Sequence, residues 1–155
     1  MNAYQYALKV EKEGEKYYRE LAERSTYSGL KMVFNILANE EVKHYKVIQD
    51  MMKDPSIDAS KLDIILDTKT IYETLSIESD SVNFNNDEIK FYEEAIKRED
   101  GAQKFYLDKA NELESENEKQ IFLQLAEEEG KHTVVLQNIL DFLQGQKNLV
   151  TAAEF

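Results

Sequence analysis

The sequence contains an internal repeat, in which the second half follows the first at a constant offset of 88 residues. ALKVEKEGEKYYRELA at residues 7–22 aligns without gaps on AIKREDGAQKFYLDKA at residues 95–110. At the same offset, FNILANEEVKHYKVIQ at residues 34–49 aligns on FLQLAEEEGKHTVVLQ at residues 122–137. Because such a repeat is one structural unit used twice, we expect two similar halves related by a pseudo-twofold axis.

Four long segments have the apolar spacing of amphipathic helices, and the 155 residues include only five Gly and one Pro. Pro55 and Gly145 follow the second and fourth segments as stop signals. Short connections within each half predict antiparallel hairpins, and the apolar centre of the long connection, KLDIILDTKTIYETL, predicts a partly helical crossover. The sequence therefore predicts an all-α, four-helix bundle of two hairpins over residues 1–145 and a C-terminal tail at 146–155. The predicted helices lie at about 2–24, 30–52, 87–113 and 116–143, with the crossover at about 53–86.

The composition excludes several classes of function. The chain has no Cys, which rules out disulfides, zinc–thiolate sites, iron–sulfur clusters and cysteine nucleophiles within it. A net charge of −12 argues against nucleic acid and anionic membranes as partners. Since neither a membrane-spanning stretch nor a signal peptide is recognisable, we expect a soluble, cytoplasmic protein.

Each half of the repeat carries one Glu on its first helix and a Glu-x-x-His motif on its second, and the protein's two His both fall in this motif. Residues three apart share one face of a helix, so the Glu and His of each motif point at the same spot. Four buried carboxylates are prohibitive when unpaired, whereas two divalent ions balance their charge. A bundle without metal, or a solvated helix face, is the alternative. The predicted ligands of two metal ions are Glu11, Glu41, His44, Glu99, Glu129 and His132.

Two further pairs of residues lie next to these ligands. Glu40 and Glu128 precede the motif glutamates, and they either face solvent or accept the free ring N–H of the opposite hairpin's His. Tyr18 and Tyr106 follow the first-helix glutamates by seven residues, or two helical turns. They are either packing residues with a satisfied hydroxyl, hydrogen-bond donors to a ligand, or redox-active phenols, and the last two roles make them the candidate catalytic residues.

The repeat, the ligand pattern and the crossover together resemble the ferritin-like di-iron carboxylate superfamily, most of all its rubrerythrin branch. AIKREDGAQKFY resembles the third bundle helix of rubrerythrins, and LAEEEGKH resembles the fourth. The resemblance implies two iron ions on the six ligands, although manganese, zinc or cobalt suits the same atoms. Rubrerythrins tend to have an additional Glu where this chain has Ala102, whose repeat mate is Gly14, so the predicted site is more symmetric.

The resemblance implies reduction of hydrogen peroxide, or of O₂, at a non-haem di-iron centre in oxidative-stress defence. Rubrerythrins usually carry a rubredoxin domain with iron on four Cys, so without Cys the electrons are expected from a separate, rubredoxin-like donor. Ala102 and Gly14 are expected to leave room for the oxidant beside the metals. The alternatives are a ferroxidase or iron-storage protein and a non-catalytic metal-binding bundle. We expect a homodimer or higher homo-oligomer, in which the crossover either closes on its own bundle or exchanges hairpins.

Overall fold

The computed structural model describes residues 2–58, 66–76 and 86–153. Within these ranges all regular structure is helical, and no helix is long and apolar enough to cross a membrane. The four predicted bundle helices are present, and apart from the end of the last one their ends lie within two residues of the predicted positions. The helices are α1 (Ala3–Arg24), α2 (Ser28–Lys53), α3 (Thr68–Ser76), α4 (Asn86–Glu112) and α5 (Glu116–Ala153).

The bundle consists of two helical hairpins. α1 packs along α2, and α4 packs along α5, while the hairpins meet through α1 with α4 and α2 with α5. The short α3 lies in the crossover and packs against α2, and its Ile71 is buried in the apolar core. This helix confirms the prediction of a partly helical crossover, of which residues 59–65 and 77–85 lie outside the described ranges.

The beginnings of α1 and α5 are fixed by side-chain hydrogen bonds. The Asn2 side chain accepts from the backbone N–H of Gln5, whose own side chain accepts from the N–H of Asn2, a reciprocal capping box. At α5, Ser115 Oγ accepts from the N–H of Glu118 at 3.4 Å. The Glu118 carboxylate accepts a hydrogen bond from the Tyr4 hydroxyl instead of turning back to Ser115. This contact links the start of α1 to the start of α5.

The last helix is longer than the sequence predicted. Gly145 was expected to follow its end, but α5 continues to Ala153. None of the described glycines has a positive φ, so Gly145 does not form the left-handed cap that ends many helices. A helical glycine costs about 1 kcal/mol relative to Ala without ending the helix. The predicted tail is therefore helical as far as Ala153.

The core has two apolar clusters with the predicted ligands between them. One cluster is built around Tyr18, Phe34 and Tyr92, and the other around Tyr106 and Phe122. Along each of the four long helices, the predicted ligands come after members of one cluster and before members of the other. Apolar side chains therefore separate the predicted ligands from water in both directions along the bundle.

Candidate metal centre

The structure brings all six predicted ligands together inside the bundle. Each of their side chains is at most 1% exposed. α1 and α4 each supply one carboxylate, while α2 and α5 each supply a Glu and a His one helical turn apart. The six residues are Glu11, Glu41, His44, Glu99, Glu129 and His132.

The predicted ligands form two overlapping groups of four residues. In each group, every residue contributes one nitrogen or oxygen atom, and these four atoms all lie within 4.8 Å of one another. Glu41 and Glu129 belong to both groups. The first group adds Glu11 and His44, and the second adds Glu99 and His132. The two adjacent groups thus share two carboxylates, and each has its own Glu and its own His.

Both imidazoles direct Nδ1 toward the carboxylates. His44 Nδ1 lies 3.0 Å from Glu129 Oε1 and 3.5 Å from Glu11 Oε2. His132 Nδ1 lies 3.4 Å from Glu41 Oε1 and 3.6 Å from Glu99 Oε2. Each His therefore contacts the shared Glu of the opposite hairpin, and Nδ1 is the ring atom placed to bind an ion.

The residues fit a pair of cations because many of their polar atoms lack partners. A buried acceptor without a hydrogen bond or a cation is costly, and most buried polar groups in proteins have a partner. Among the described residues, the buried atoms of this cluster without a hydrogen-bond partner include His132 Nδ1 and five carboxylate oxygens. These oxygens are Glu11 Oε2, both oxygens of Glu41, Glu99 Oε2 and Glu129 Oε2.

Three of the four carboxyl groups are held in the protonated form more strongly than usual. Burial raises the pKa of Glu11, Glu41 and Glu129, because a carboxylate loses its hydration inside the protein. Negative charges on neighbouring carboxylates raise the pKa of Glu41 and Glu129 further. A divalent cation that binds here must displace protons from these groups.

Glu99 and His132 behave differently. Burial acts to raise the pKa of Glu99, but the close contact with Glu129 and the charge of His132 outweigh it, so the pKa lies below its usual value. Burial acts to lower the pKa of His132, but the charge of Glu99 and the contacts with Glu41 and Glu99 raise it well above the usual value. Burial lowers the pKa of His44 despite the charge of Glu41. Glu99 and His132 thus form a buried pair of opposite charges in the metal-free site.

Comparison with known protein families agrees with this geometry. The family model named Rubrerythrin matches residues 3–85 and 90–154, which is most of the chain. The chain belongs to the rubrerythrin family. Searches of curated proteins and of solved structures found no significant match. Membership in the rubrerythrin family confirms the resemblance inferred from the repeat and the Glu-x-x-His motifs.

In this member of the rubrerythrin family, the two tyrosines hold carboxylates of the centre. Tyr18 donates a hydrogen bond to Glu99 Oε1, and Tyr106 donates one to Glu11 Oε1. Both rings are fully buried, and burial raises the pKa of both phenols well above the usual value, so they remain protonated donors. Each tyrosine contacts the glutamate of the opposite hairpin. A catalytic role for them stays a prediction.

Glu40 and Glu128 are buried, so neither faces solvent. Glu40 lies 3.2 Å from Lys43 Nζ and places a ligand atom within 4.8 Å of both histidines. Glu128 accepts from the backbone N–H of Leu66 in the crossover at 3.1 Å and from Lys131 at 2.9 Å. The Nε2 atoms of both histidines have no hydrogen-bond partner within the described ranges. The predicted hydrogen bonds from these rings to the two glutamates therefore stay a prediction.

Arg98 belongs to the surroundings of the site, although it lies outside the predicted ligand pattern. Its guanidinium occupies the space beside Gly14, where a Cβ would lie 2.5 Å from Arg98 Nη2 and 2.8 Å from Glu41 Oε2. The expectation that Gly14 leaves room for an oxidant was wrong, because a cationic side chain of the protein itself fills that room. The signal that could have revealed it is a break in the repeat, since Val10 and Gly14 align with Arg98 and Ala102.

Proposed function

We propose that this protein is a di-iron carboxylate protein that reduces hydrogen peroxide, or O₂, with electrons from a separate donor protein. The observation that carries this proposal is the pair of buried four-residue ligand groups that share Glu41 and Glu129. Oxygen-rich ligands with one imidazole per ion suit iron or manganese, and zinc fits the same atoms. Membership in the rubrerythrin family supports iron and redox chemistry over a structural ion.

In the proposed centre, Glu11 and His44 would hold one ion, Glu99 and His132 would hold the other, and Glu41 and Glu129 belong to both groups. When bound, an iron pair would supply together the two electrons that convert one peroxide and two protons into two waters, and the donor protein would replace those two electrons.

The residues around the ligands support this role by orienting them and by excluding water. Tyr18 donates its hydrogen bond to one oxygen of Glu99, and Tyr106 donates to one oxygen of Glu11. In each of these carboxylates, only the other oxygen lacks a hydrogen-bond partner. The two apolar clusters lie directly beyond the ligands on either side. A reduced ion pair in such surroundings is protected from uncontrolled solvent access.

The test is metal analysis of anaerobically prepared protein, followed by Fe(II) titration and separate additions of peroxide and O₂. We expect two Fe(II) per chain and faster oxidation by peroxide than by O₂. Faster oxidation by O₂ would favour the ferroxidase alternative. Failure to bind iron on reconstitution, with zinc alone retained, would contradict the di-iron proposal.

The expected homo-oligomer is part of the same proposal. Iron storage requires a closed shell of many subunits, whereas peroxide reduction requires only a small assembly. Gel filtration distinguishes the two functions, because a dimer or tetramer excludes a storage cage.

A further inference from the structure

Arg98 carries a fixed positive charge on one side of the metal centre. A guanidinium cannot be deprotonated in proteins at ordinary pH, so this charge is permanent. Arg98 Nη1 lies 3.6 Å from Glu99 Oε1 and is buried without a hydrogen-bond partner. Arg98 Nη2 donates to the backbone carbonyl of Val10 at 2.7 Å. The side chain is only 21% exposed, so solvent screens it poorly.

The backbone of α1 is shaped to hold this guanidinium close to the centre. Gly14 has no side chain, and a Cβ at that position would lie within 3 Å of both Arg98 Nη2 and Glu41 Oε2. The Tyr17 ring lies under the guanidinium, 5.8 Å from its carbon to the ring centroid. The Val10 carbonyl and the Tyr17 ring therefore hold the guanidinium in place, and the missing side chain of Gly14 gives it room close to Glu41.

The other half of the pseudo-symmetric site has no equivalent charge. The repeat mate of Arg98 is Val10, and the repeat mate of Gly14 is Ala102. Within the described ranges, the ion pairs of Glu11 include His44 and no Lys or Arg. The ligands of the two positions match residue for residue, so the guanidinium is the main charged group that distinguishes them.

We propose that Arg98 makes the two metal positions inequivalent, so that the Glu99–His132 position binds its divalent ion later and more weakly than the Glu11–His44 position. This inference rests on the proposed metal pair. The guanidinium repels a cation beside Glu99, because Arg98 Nη1 lies 3.6 Å from Glu99 Oε1, the oxygen that also accepts the hydrogen bond of Tyr18. Coulomb repulsion at several ångström in a partly buried setting predicts a difference of about tenfold or more between the two dissociation constants.

The experiment is an anaerobic titration of the full-length, metal-free protein with Co(II), followed by d–d absorption and by calorimetry at fixed pH. We expect two resolved binding steps in the wild type. Arg98→Val, which installs the residue found at the repeat mate, should strengthen the second step by about tenfold and bring the two steps together. Lys104→Val is the matched control, because it removes one exposed positive charge from the same helix and should leave both steps unchanged.

NMR identifies which position fills first, because the protein has only two His. At one equivalent of Co(II), the paramagnetically shifted imidazole signals should belong to His44, with assignments from the variants His44→Gln and His132→Gln. Shifted signals from His132 first would overturn the inference. So would two equal steps in the wild type, or an unchanged ratio in Arg98→Val.

A second variant guards against a folding defect in Arg98→Val. Arg98→Gln removes the charge but keeps a donor for the Val10 carbonyl, and it should bring the two binding steps together in the same way. Failure of the wild type to bind a second ion at any Co(II) concentration would instead overturn the metal pair itself. Two ions bound with equal affinity would leave the proposed function intact and remove only the role of Arg98.

Discussion

Glu41 and Glu129 differ from the other predicted ligands because each belongs to both four-residue groups. In the proposed metal pair, a change at either residue affects two ions, whereas a change at Glu11 or Glu99 affects one. Both shared carboxyls are also fully buried beside other carboxyls, so they are the most costly members of the site when no cation is bound. At the scale of single residues, the same two groups thus control ion binding and limit the stability of the metal-free protein.

Replacing both Glu41 and Glu129 by Ala should abolish binding of the metal pair. The metal-free variant should be more stable than the metal-free wild type by about 1 to 3 kcal/mol, because two partly unsatisfied buried carboxyls are removed. Metal stoichiometry and urea unfolding in the presence of a chelator measure the two effects. Glu13→Ala changes an exposed glutamate of α1 and serves as the control. Unchanged stoichiometry in the double variant would refute the ligand assignment.

Gly14 and Gly101 both lie inside long helices but have different surroundings. A Cβ on Gly101 meets nothing within 4 Å, whereas a Cβ on Gly14 meets Arg98 and Glu41. Gly101→Ala should therefore stabilise the protein by about 0.5 to 1 kcal/mol through helix propensity and leave metal binding unchanged. Gly14→Ala should gain the same propensity but displace the guanidinium or Glu41, and so change the metal-binding isotherm. Identical isotherms for the two variants would show that Gly14 has no role in the centre.

At the scale of helices, the hairpins must be held in register for the ligands to meet. Glu88 near the start of α4 is buried and accepts hydrogen bonds from Ser25 Oγ at 3.1 Å and from the backbone N–H of Thr26 at 3.0 Å. Ser25 and Thr26 lie in the connection between α1 and α2. Glu88 therefore ties the second hairpin to the first at one end of the bundle, as Tyr4 with Glu118 does elsewhere.

Glu88→Ala should destabilise the protein by about 1 to 3 kcal/mol, because it removes charge-assisted hydrogen bonds and leaves buried donors unpaired. Thermal unfolding checks the change, and Glu93→Ala, at an exposed position of the same helix, should have little effect. Equal melting temperatures for the two variants would show that this contact does not stabilise the bundle.

At the scale of the whole molecule, the buried site makes the metal-free protein sensitive to pH. Burial first, then neighbouring negative charge, raises the pKa of Glu41 and Glu129, so the folded state keeps protons that the unfolded state loses above its carboxyl pKa of 4.5. The pKa of His132 is also raised, which adds a loss of stability above 6.5. The pKa values of His44 and Glu99 are lowered in the folded state. Their contributions to the free energy of unfolding are complete above pH 6.5 for His44 and above pH 4.5 for Glu99, so they do not change it at higher pH.

The free energy of unfolding of the metal-free protein should therefore fall as the pH rises above about 6.5. The metal-loaded protein should show the opposite trend, because cations bind more tightly as protons leave the ligands. Urea unfolding at several pH values, with chelator and with divalent metal, measures both curves. The double variant lacking the Glu41 and Glu129 carboxyls should show a weaker slope without metal. A metal-free stability that rises across this range would contradict the protonated site.

The sequence alone determined the four long helices, the pairing of hairpins and the six candidate ligands, because helical period and the gapless repeat are local, countable features. The structure decided what depends on contacts between distant residues. It showed that Glu41 and Glu129 belong to both four-residue groups, that Tyr18 and Tyr106 donate hydrogen bonds to glutamates of the opposite hairpin, and that Glu128 accepts one from the backbone of the crossover. Arg98 lies outside the ligand pattern, and only the close approach of α1 and α4 at Gly14 brings its charge to the centre.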